Sequence, residues 1–303
     1  MSHPIAPPAT RPFPWYYVPL EWLLLGLARL PLSVLHVVAD GFYLLMRYGL
    51  RYRQKVVLQN LRNSFPERSE AEIRQISAGF YRHFADVIVE ILKLAAISPA
   101  ELRRRVQIRN AELFTEQFGA GRTVLALGSH IGNWEWILPT GAVTFPDKAH
   151  GVYKPLSNPF FEHFMLRLRT RTGAHLIPMR DTLRDMLRRR GQPRSLSMLS
   201  DQSPASPEQT YWTTFLHQET AFYTGADKLA AQFHCPVLYV NIVRQRRGYY
   251  EISVEQLHDG TAPLDKDAHA ITEAFARCVE RDIRARPADY LWSHRRWKLK
   301  RAA

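Results

Sequence analysis

Apolar residues recur at helical spacing between residues 70 and 94. Ile73, Ile76, Phe80, Phe84, Val87, Ile91 and Leu94 fall on one face, behind a capping box, Ser69-Glu-Ala-Glu72. This helix should stop before Pro99, where Ser98-Pro-Ala-Glu101 opens another with proline at its first position. Beyond residue 105 the pattern changes. Short apolar runs at Val106 to Arg109, Thr123 to Leu127, Ala149 to Tyr153, His175 to Ile177 and Ser195 to Leu199 read as strands. Between and after them, Asn110 caps a brief helix closed by Gly119, and helical stretches cover 158–172, 181–191, 225–233 and 265–286. Pro236 to Val243 and Tyr249 to Val254 form a hairpin around Arg247-Gly248. Strands alternating with helices predict an α/β domain: a layered central mixed sheet flanked by helices. The chain shows no internal repeat and no Gly- or Ser-rich linker, and the helices before about residue 105 look like an appended layer.

The chain is proline-rich through Pro19 and then apolar from Leu20 to Met46. That run is long enough for a bilayer, yet Glu21, Arg29, His36 and Asp40 interrupt it and Pro31 breaks it. It predicts two amphipathic helices lying in a membrane interface, with Trp15, Tyr16, Tyr17 and Trp22 at headgroup depth. An ordinary core helix pair is the competing reading. A signal peptide fits poorly, because no small-residue cleavage site follows. If the run does span, the cations after it (Arg47, Arg51, Arg53, Lys55) outnumber those before it and keep the rest in the cytoplasm. The expected division is a membrane-associated segment over 1–50 and a second domain over 51–303.

Composition narrows the partners. A net charge of +13 and a pI near 10.0 suit phospholipid, nucleic acid, a phosphorylated sugar or an acidic protein. Cys235 and Cys278 are far apart and form no C-x-x-C pair, which fits reduced thiols. No metal-ligand spacing occurs, so neither a metal nor another cofactor is expected.

The chemistry concentrates at Leu127-Gly-Ser-His-Ile-Gly-Asn-Trp-Glu-Trp136, where a buried strand hands over to a helix that should not run far past Pro139. Open α/β sheets put ligands at this carboxyl edge. Five residues along a regular helix separate two side chains by about 140°. His130 must therefore lie in the turn if Glu135 is to reach back and hold one imidazole nitrogen, leaving the other as a base. Asp201-Gln202 and Tyr153-Lys154-Pro155 end strands on the same edge. Nine arginines lie between Arg167 and Arg194 against two aspartates. Most read as a solvated face, while Arg169 and Arg171 could grip phosphate or carboxylate. The tail from Tyr290 to Lys298 interleaves aromatics and cations, as a nucleic-acid-binding or a membrane-facing end would. No G-x-S-x-G elbow supports an acyl-enzyme hydrolase.

His130-x4-Glu135, Tyr153-Lys-Pro, Arg169 to Gly173, Asp201-Gln202 and Trp292-Ser-His-Arg-Arg-Trp-Lys298 together resemble one family in order and spacing. It is that of the late acyltransferases of lipid A biosynthesis, within the lysophospholipid (glycerolipid) acyltransferase superfamily, and the likeness runs from about residue 15 to 300. The resemblance implies an enzyme on the cytoplasmic face of the cell inner membrane. It would move a fatty acyl chain from acyl carrier protein, or coenzyme A, to a hydroxyl of a lipid-linked disaccharide, with no role for nucleic acid. His130 would be the general base and Glu135 its orienting partner. Asn133, Lys154, Arg169, Arg171, Asp201 and Gln202 would bind substrate. Lys154 stands where the family commonly has arginine, and Phe215-Leu216-His217 where glycine usually follows the aromatic pair. The alternatives are a lysophospholipid or lysophosphatidic acid acyltransferase, and a basic membrane- or nucleic-acid-binding protein in which His130 and Glu135 are inert.

Overall fold

The computed structural model describes residues 13–204, 210–265 and 268–301. Two apolar helices come first, α1 (Val18–Ala28) and α2 (Leu32–Leu44), parted at Pro31. α3 (Gln54–Ser64) and the long α4 (Glu70–Lys93) follow. The Ser69 capping box forms as read: Ser69 accepts from the Glu72 backbone, and the Glu72 carboxylate accepts from the Ser69 N–H. α5 (Pro99–Arg105) starts at its capping Ser98 and leads into β1 (Val106–Ile108), α6 (Glu112–Gly119) and β2 (Val124–Gly128). α7 (Ile137–Thr144), β3 (Ala149–Tyr153), α8 (Pro159–Thr170), β4 (His175–Pro178), α9 (Thr182–Arg188) and β5 (Ser195–Leu199) then alternate. After β6 (Thr210–Phe215), β7 (Gln218–Tyr223) and α10 (Gly225–Phe233), β8 (Val237–Arg246) and β9 (Tyr249–His258) form the long hairpin, and α11 (Ala270–Ala285) closes the series.

Among the described residues the main sheet has seven strands in the order β1-β9-β8-β2-β5-β3-β4. β8, β2, β5, β3 and β4 run parallel, while β9 pairs antiparallel to β8, so the sheet is mixed, as expected. β2 is its centre and is buried at every residue, which explains its unbroken apolar run. The structure departs from the reading in several places. Asn110 does not cap α6, whose N-cap is Ala111; its amide donates to the Val254 carbonyl instead. α7 runs through Pro139, because proline in the first turn of a helix withholds an N–H that has no partner there anyway. β6 and β7 form a separate two-stranded ribbon that alternation did not announce.

α1 and α2 form a layer on α4. Lys93 is buried in this contact and donates to the carbonyls of Ala28 (3.1 Å) and Leu30 (2.7 Å), closing the end of α1. α1 also meets α8: Tyr17 stacks on Phe160, and Arg167 binds Glu21 at 2.8 Å. The outer faces stay apolar, with Trp15, Trp22, Val37, Leu44 and Leu50 exposed. Among the described residues no helix is long and apolar enough to cross a membrane.

Candidate active site

β2 and β5 are in register at Gly128 and Leu199, and each chain continues two residues further to reach His130 and Asp201. Those two side chains meet. The His130 Nδ1 lies 2.7 Å from Asp201 Oδ1, and the His130 backbone N–H donates to Oδ2 at 3.1 Å. With Nδ1–H given to the carboxylate, Nε2 keeps its lone pair, and the Gln202 amide donates to it at 3.1 Å. Trp134 packs beside the imidazole, ring centroids 5.2 Å apart.

Burial alone would raise the pKa of Asp201. The facing His130 imidazole and its N–H, with Arg296 behind, override that and hold the carboxyl below the usual range. Asp201 is therefore an anion in a dry place.

The loop holding His130 owes its path to Gly132. Its φ is +60°, and a Cβ there would sit 2.3 Å from the Ile242 carbonyl oxygen, so only glycine fits. The C-terminal segment clamps this loop from outside. Gly132 N–H donates to the Asp289 carbonyl (3.0 Å), Ile131 bridges to Tyr290, and Leu291 N–H donates to the His130 carbonyl (3.1 Å). Trp292 is wholly buried, which contributes roughly 1.5–3 kcal/mol to holding the clamp in place. Arg296 is also buried and donates to the Ala221 carbonyl (2.7 Å) with its guanidinium over Phe222. Asn60 of α3 fixes the carbonyls of Trp292 and His294, each at 2.9 Å. The aromatic and basic tail is thus mostly internal and packs behind the site.

The remaining residues singled out in the sequence divide. Glu135, in a short 3-10 turn over Trp134–Trp136, does not hold His130; it takes a bidentate pair from Arg169, at 2.6 and 2.8 Å. Burial opposes ionisation of Glu135, but Arg169 outweighs it, with a smaller contribution from His130, and the carboxyl lies below its ordinary range. The contact expected of Glu135 is made by Asp201 instead, because parallel pairing brings a remote strand end closer than the next helical turn.

Asn133 is fully buried and donates to Glu90 (2.8 Å). Arg171 donates to the carbonyls of Leu94 and Ile97 and so caps the end of α4. Lys154 is exposed after β3 and forms no hydrogen bond or ion pair with the described residues. A cavity of about 600 Å³ opens at the ends of β3 and β4, with Tyr153, Leu156 and Ile177 in its wall; His130 does not line it.

The sequence reading missed Glu90. Wholly buried on α4, it accepts from Asn133, from Tyr250 Oη (2.6 Å) and from His36 (3.0 Å), while its carbonyl accepts from the Trp136 indole (2.9 Å). It ties α2, the site loop and β9 together. A signal existed: His83, Asp86, Glu90 and Lys93 recur at helical spacing and are buried, a polar stripe within the inner face of α4.

This arrangement can take a proton from a hydroxyl and return it, with the imidazolium balanced by Asp201. Residues 12–299 match a family model described as bacterial lipid A biosynthesis acyltransferase. The chain is 24% identical to the lipid A biosynthesis lauroyltransferase of Escherichia coli strain K12 over 290 residues, covering 94% of this chain and 91% of that one. It is 22% identical to the palmitoleoyltransferase of the same strain, with the same coverage of both chains. Against a lipid A biosynthesis acyltransferase of Haemophilus influenzae the identity is 23%, covering 95% of this chain and 94% of the other.

Proposed function

Because the chain belongs to the bacterial lipid A biosynthesis acyltransferase family, and so is an acyltransferase, we propose that it carries a fatty acyl group from a thioester to a hydroxyl of a lipid A-type glycolipid precursor. The thioester is that of acyl carrier protein or coenzyme A. The observation that carries this reading is the His130–Asp201 pair, with Gln202 resting on the free nitrogen.

Gln202 marks the place an acceptor hydroxyl takes. Once the hydroxyl replaces that amide, Nε2 removes its proton as the oxygen attacks the thioester carbonyl. The tetrahedral intermediate then collapses, the C–S bond breaks, and the leaving thiolate takes the proton from the imidazolium. A thioester is already activated, so no covalent enzyme intermediate is needed. Asp201 orients His130 and stabilises its cation. Glu135 acts through Arg169, whose Nη1 has no hydrogen-bond partner among the described residues and is suited to an anionic oxygen of donor or acceptor.

The apolar outer faces of α1 and α2 support placing the enzyme at the cytoplasmic face of the inner membrane, where its lipid acceptor lies. Trp22 is 72% and Val37 70% exposed, more than a water-facing helix pair tolerates at such large side chains. The basic net charge suits an acidic acyl carrier protein.

Transfer from acyl carrier protein and from coenzyme A to a lipid A precursor, assayed with wild type and His130→Ala, tests the mechanism. The variant should lose about 10²- to 10⁴-fold in rate while keeping its fold. Full transfer by folded His130→Ala would remove His130 as the base. Mass spectrometry of membrane lipids with and without the gene tests the acceptor: an unchanged lipid A pattern beside altered phospholipids would shift it to a lysophospholipid.

A further inference from the structure

Five arginines meet in one cleft outside the His130 cluster. The cleft, about 590 Å³, lies between α4, the turn joining β8 to β9, and the turn Pro287–Asp289. Two carboxylates accompany the arginines, and both are already engaged. Asp86 takes Arg247 at 2.6 Å and Arg244 at 3.5 Å, and Asp289 lies 3.7 Å from Arg244. Arg82, Arg246 and Arg286 have no carboxylate partner among the described residues. Their positions are fixed by other means. Arg82 lies over the Tyr43 ring at 5.1 Å, Arg246 over Tyr249 at 3.9 Å, and Arg286 Nη1 donates to the Arg244 carbonyl at 2.6 Å. Five cations against these two carboxylates and Asp40, which Arg247 also binds, leave the cleft with a net positive charge. Free guanidinium forks match the oxygens of a phosphate.

The surroundings say what carries that phosphate. Tyr43, under Arg82, belongs to α2, and Arg247 also clamps Asp40 of α2 at 2.7 Å. Val37 and Leu44, one turn to either side of Asp40, are exposed on α2, as is Val38. A charged cleft bordered by an apolar helix suits an amphiphile. The cleft also adjoins the back of the His130 loop, since Gly132 N–H binds the carbonyl of Asp289 in its wall. We propose that this cleft binds the phosphate of a membrane lipid headgroup, holding the enzyme at the bilayer through a site separate from His130. The assignment does not depend on which hydroxyl is acylated.

Flotation of the full chain with three kinds of vesicle tests it: phosphatidylcholine alone, phosphatidylcholine doped with phosphatidic acid, and phosphatidylcholine doped to equal surface charge with oleic acid. Arg82→Gln/Arg246→Gln/Arg286→Gln should lose on the order of a hundredfold in affinity for the phosphatidic acid vesicles, at about fivefold per arginine. Its binding to phosphatidylcholine alone should stay within a few-fold of wild type, and its loss on the oleic acid vesicles should not exceed that of a charge-matched control. That control, Arg180→Gln/Arg184→Gln/Arg190→Gln around α9, should keep the phosphatidic acid preference. Inorganic phosphate should displace wild type from phosphatidic acid vesicles only.

Equal losses in the triple variant and the control would reduce the effect to bulk charge and overturn the site. So would a triple variant that binds like wild type. Binding of free phosphate without any preference for phosphatidic acid vesicles would overturn the lipid source. All three residues are exposed, so the fold should persist; Arg246→Gln alone serves as the second test, with a loss of several-fold expected.

Discussion

Asp201 makes two hydrogen bonds to one residue, to the Nδ1 and to the backbone N–H of His130, and so fixes both the ring and the loop that carries it. An asparagine there keeps most of the shape but cannot balance an imidazolium. Asp201→Asn should therefore lower kcat by about 10²- to 10⁴-fold with little change in KM, read by steady-state acyl transfer. A kcat near wild type would make Asp201 structural only. Glu135 and Arg169 act as one bidentate unit, so removing either leaves the other buried and unpaired. The losses for Glu135→Ala, Arg169→Ala and the double variant should be nearly equal, each about 10²-fold or more; additive losses would mean separate roles. The sequence placed His130, Asp201 and Gln202 on one sheet edge, because each directly follows a recognisable strand. It did not reveal which carboxylate meets the imidazole. That depends on the β2–β5 register, a relation between residues 71 positions apart, which no local pattern encodes.

The ribbon β6–β7 turns at Leu216 and His217, which have φ values of +49° and +63°. A two-residue hairpin needs this geometry, and glycine or asparagine adopts it more easily than leucine or histidine. Leu216 is fully buried, and its side chain offsets some of the strain. His217 is exposed, with Arg284 at 3.3 Å and Glu67 at 4.0 Å from its ring. His217→Gly should therefore raise unfolding stability by about 1 kcal/mol in a denaturant titration; a decrease would show that the Arg284 contact outweighs the backbone. The same element shows where pattern reading stops. α4, α8 and β2 were legible because a cap or an unbroken apolar run marks them. β6 and β7 alternate weakly, and nothing in Phe215-Leu216-His217 signals a turn, because the tertiary structure imposes it. The polar stripe of α4 escaped for the opposite reason: its partners His36, Asn133 and Tyr250 come from three distant elements.

At the scale of the molecule, the basic charge coexists with His83 and His150, both buried, and the half-buried His294, each with a ring nitrogen that has no hydrogen-bond partner among the described residues. Burial is the main cause that keeps them neutral. It lowers His150 to about 3, helped by Arg194 and His175, and His294 to about 4 despite Asp201 nearby. His83 moves the same way, with Asp289 opposing. An unfolded histidine titrates near 6.5. Below that value the unfolded chain therefore binds protons that the folded chain refuses. These groups leave stability intact above about pH 6.5 and remove it as pH falls toward about 4 and then about 3. Asp201 and Glu135, whose carboxyls are held low, add a loss of the same sign further into acid. Asp86, raised by burial against the pull of Arg247, acts in the opposite sense. The expected net loss is on the order of several kcal/mol between neutral pH and about pH 4. Urea unfolding along a pH series measures it. His150→Gln and His294→Gln should each flatten the slope between about pH 6.5 and about pH 4. A wild-type profile already flat across that window would mean that the folded interior admits the protons after all.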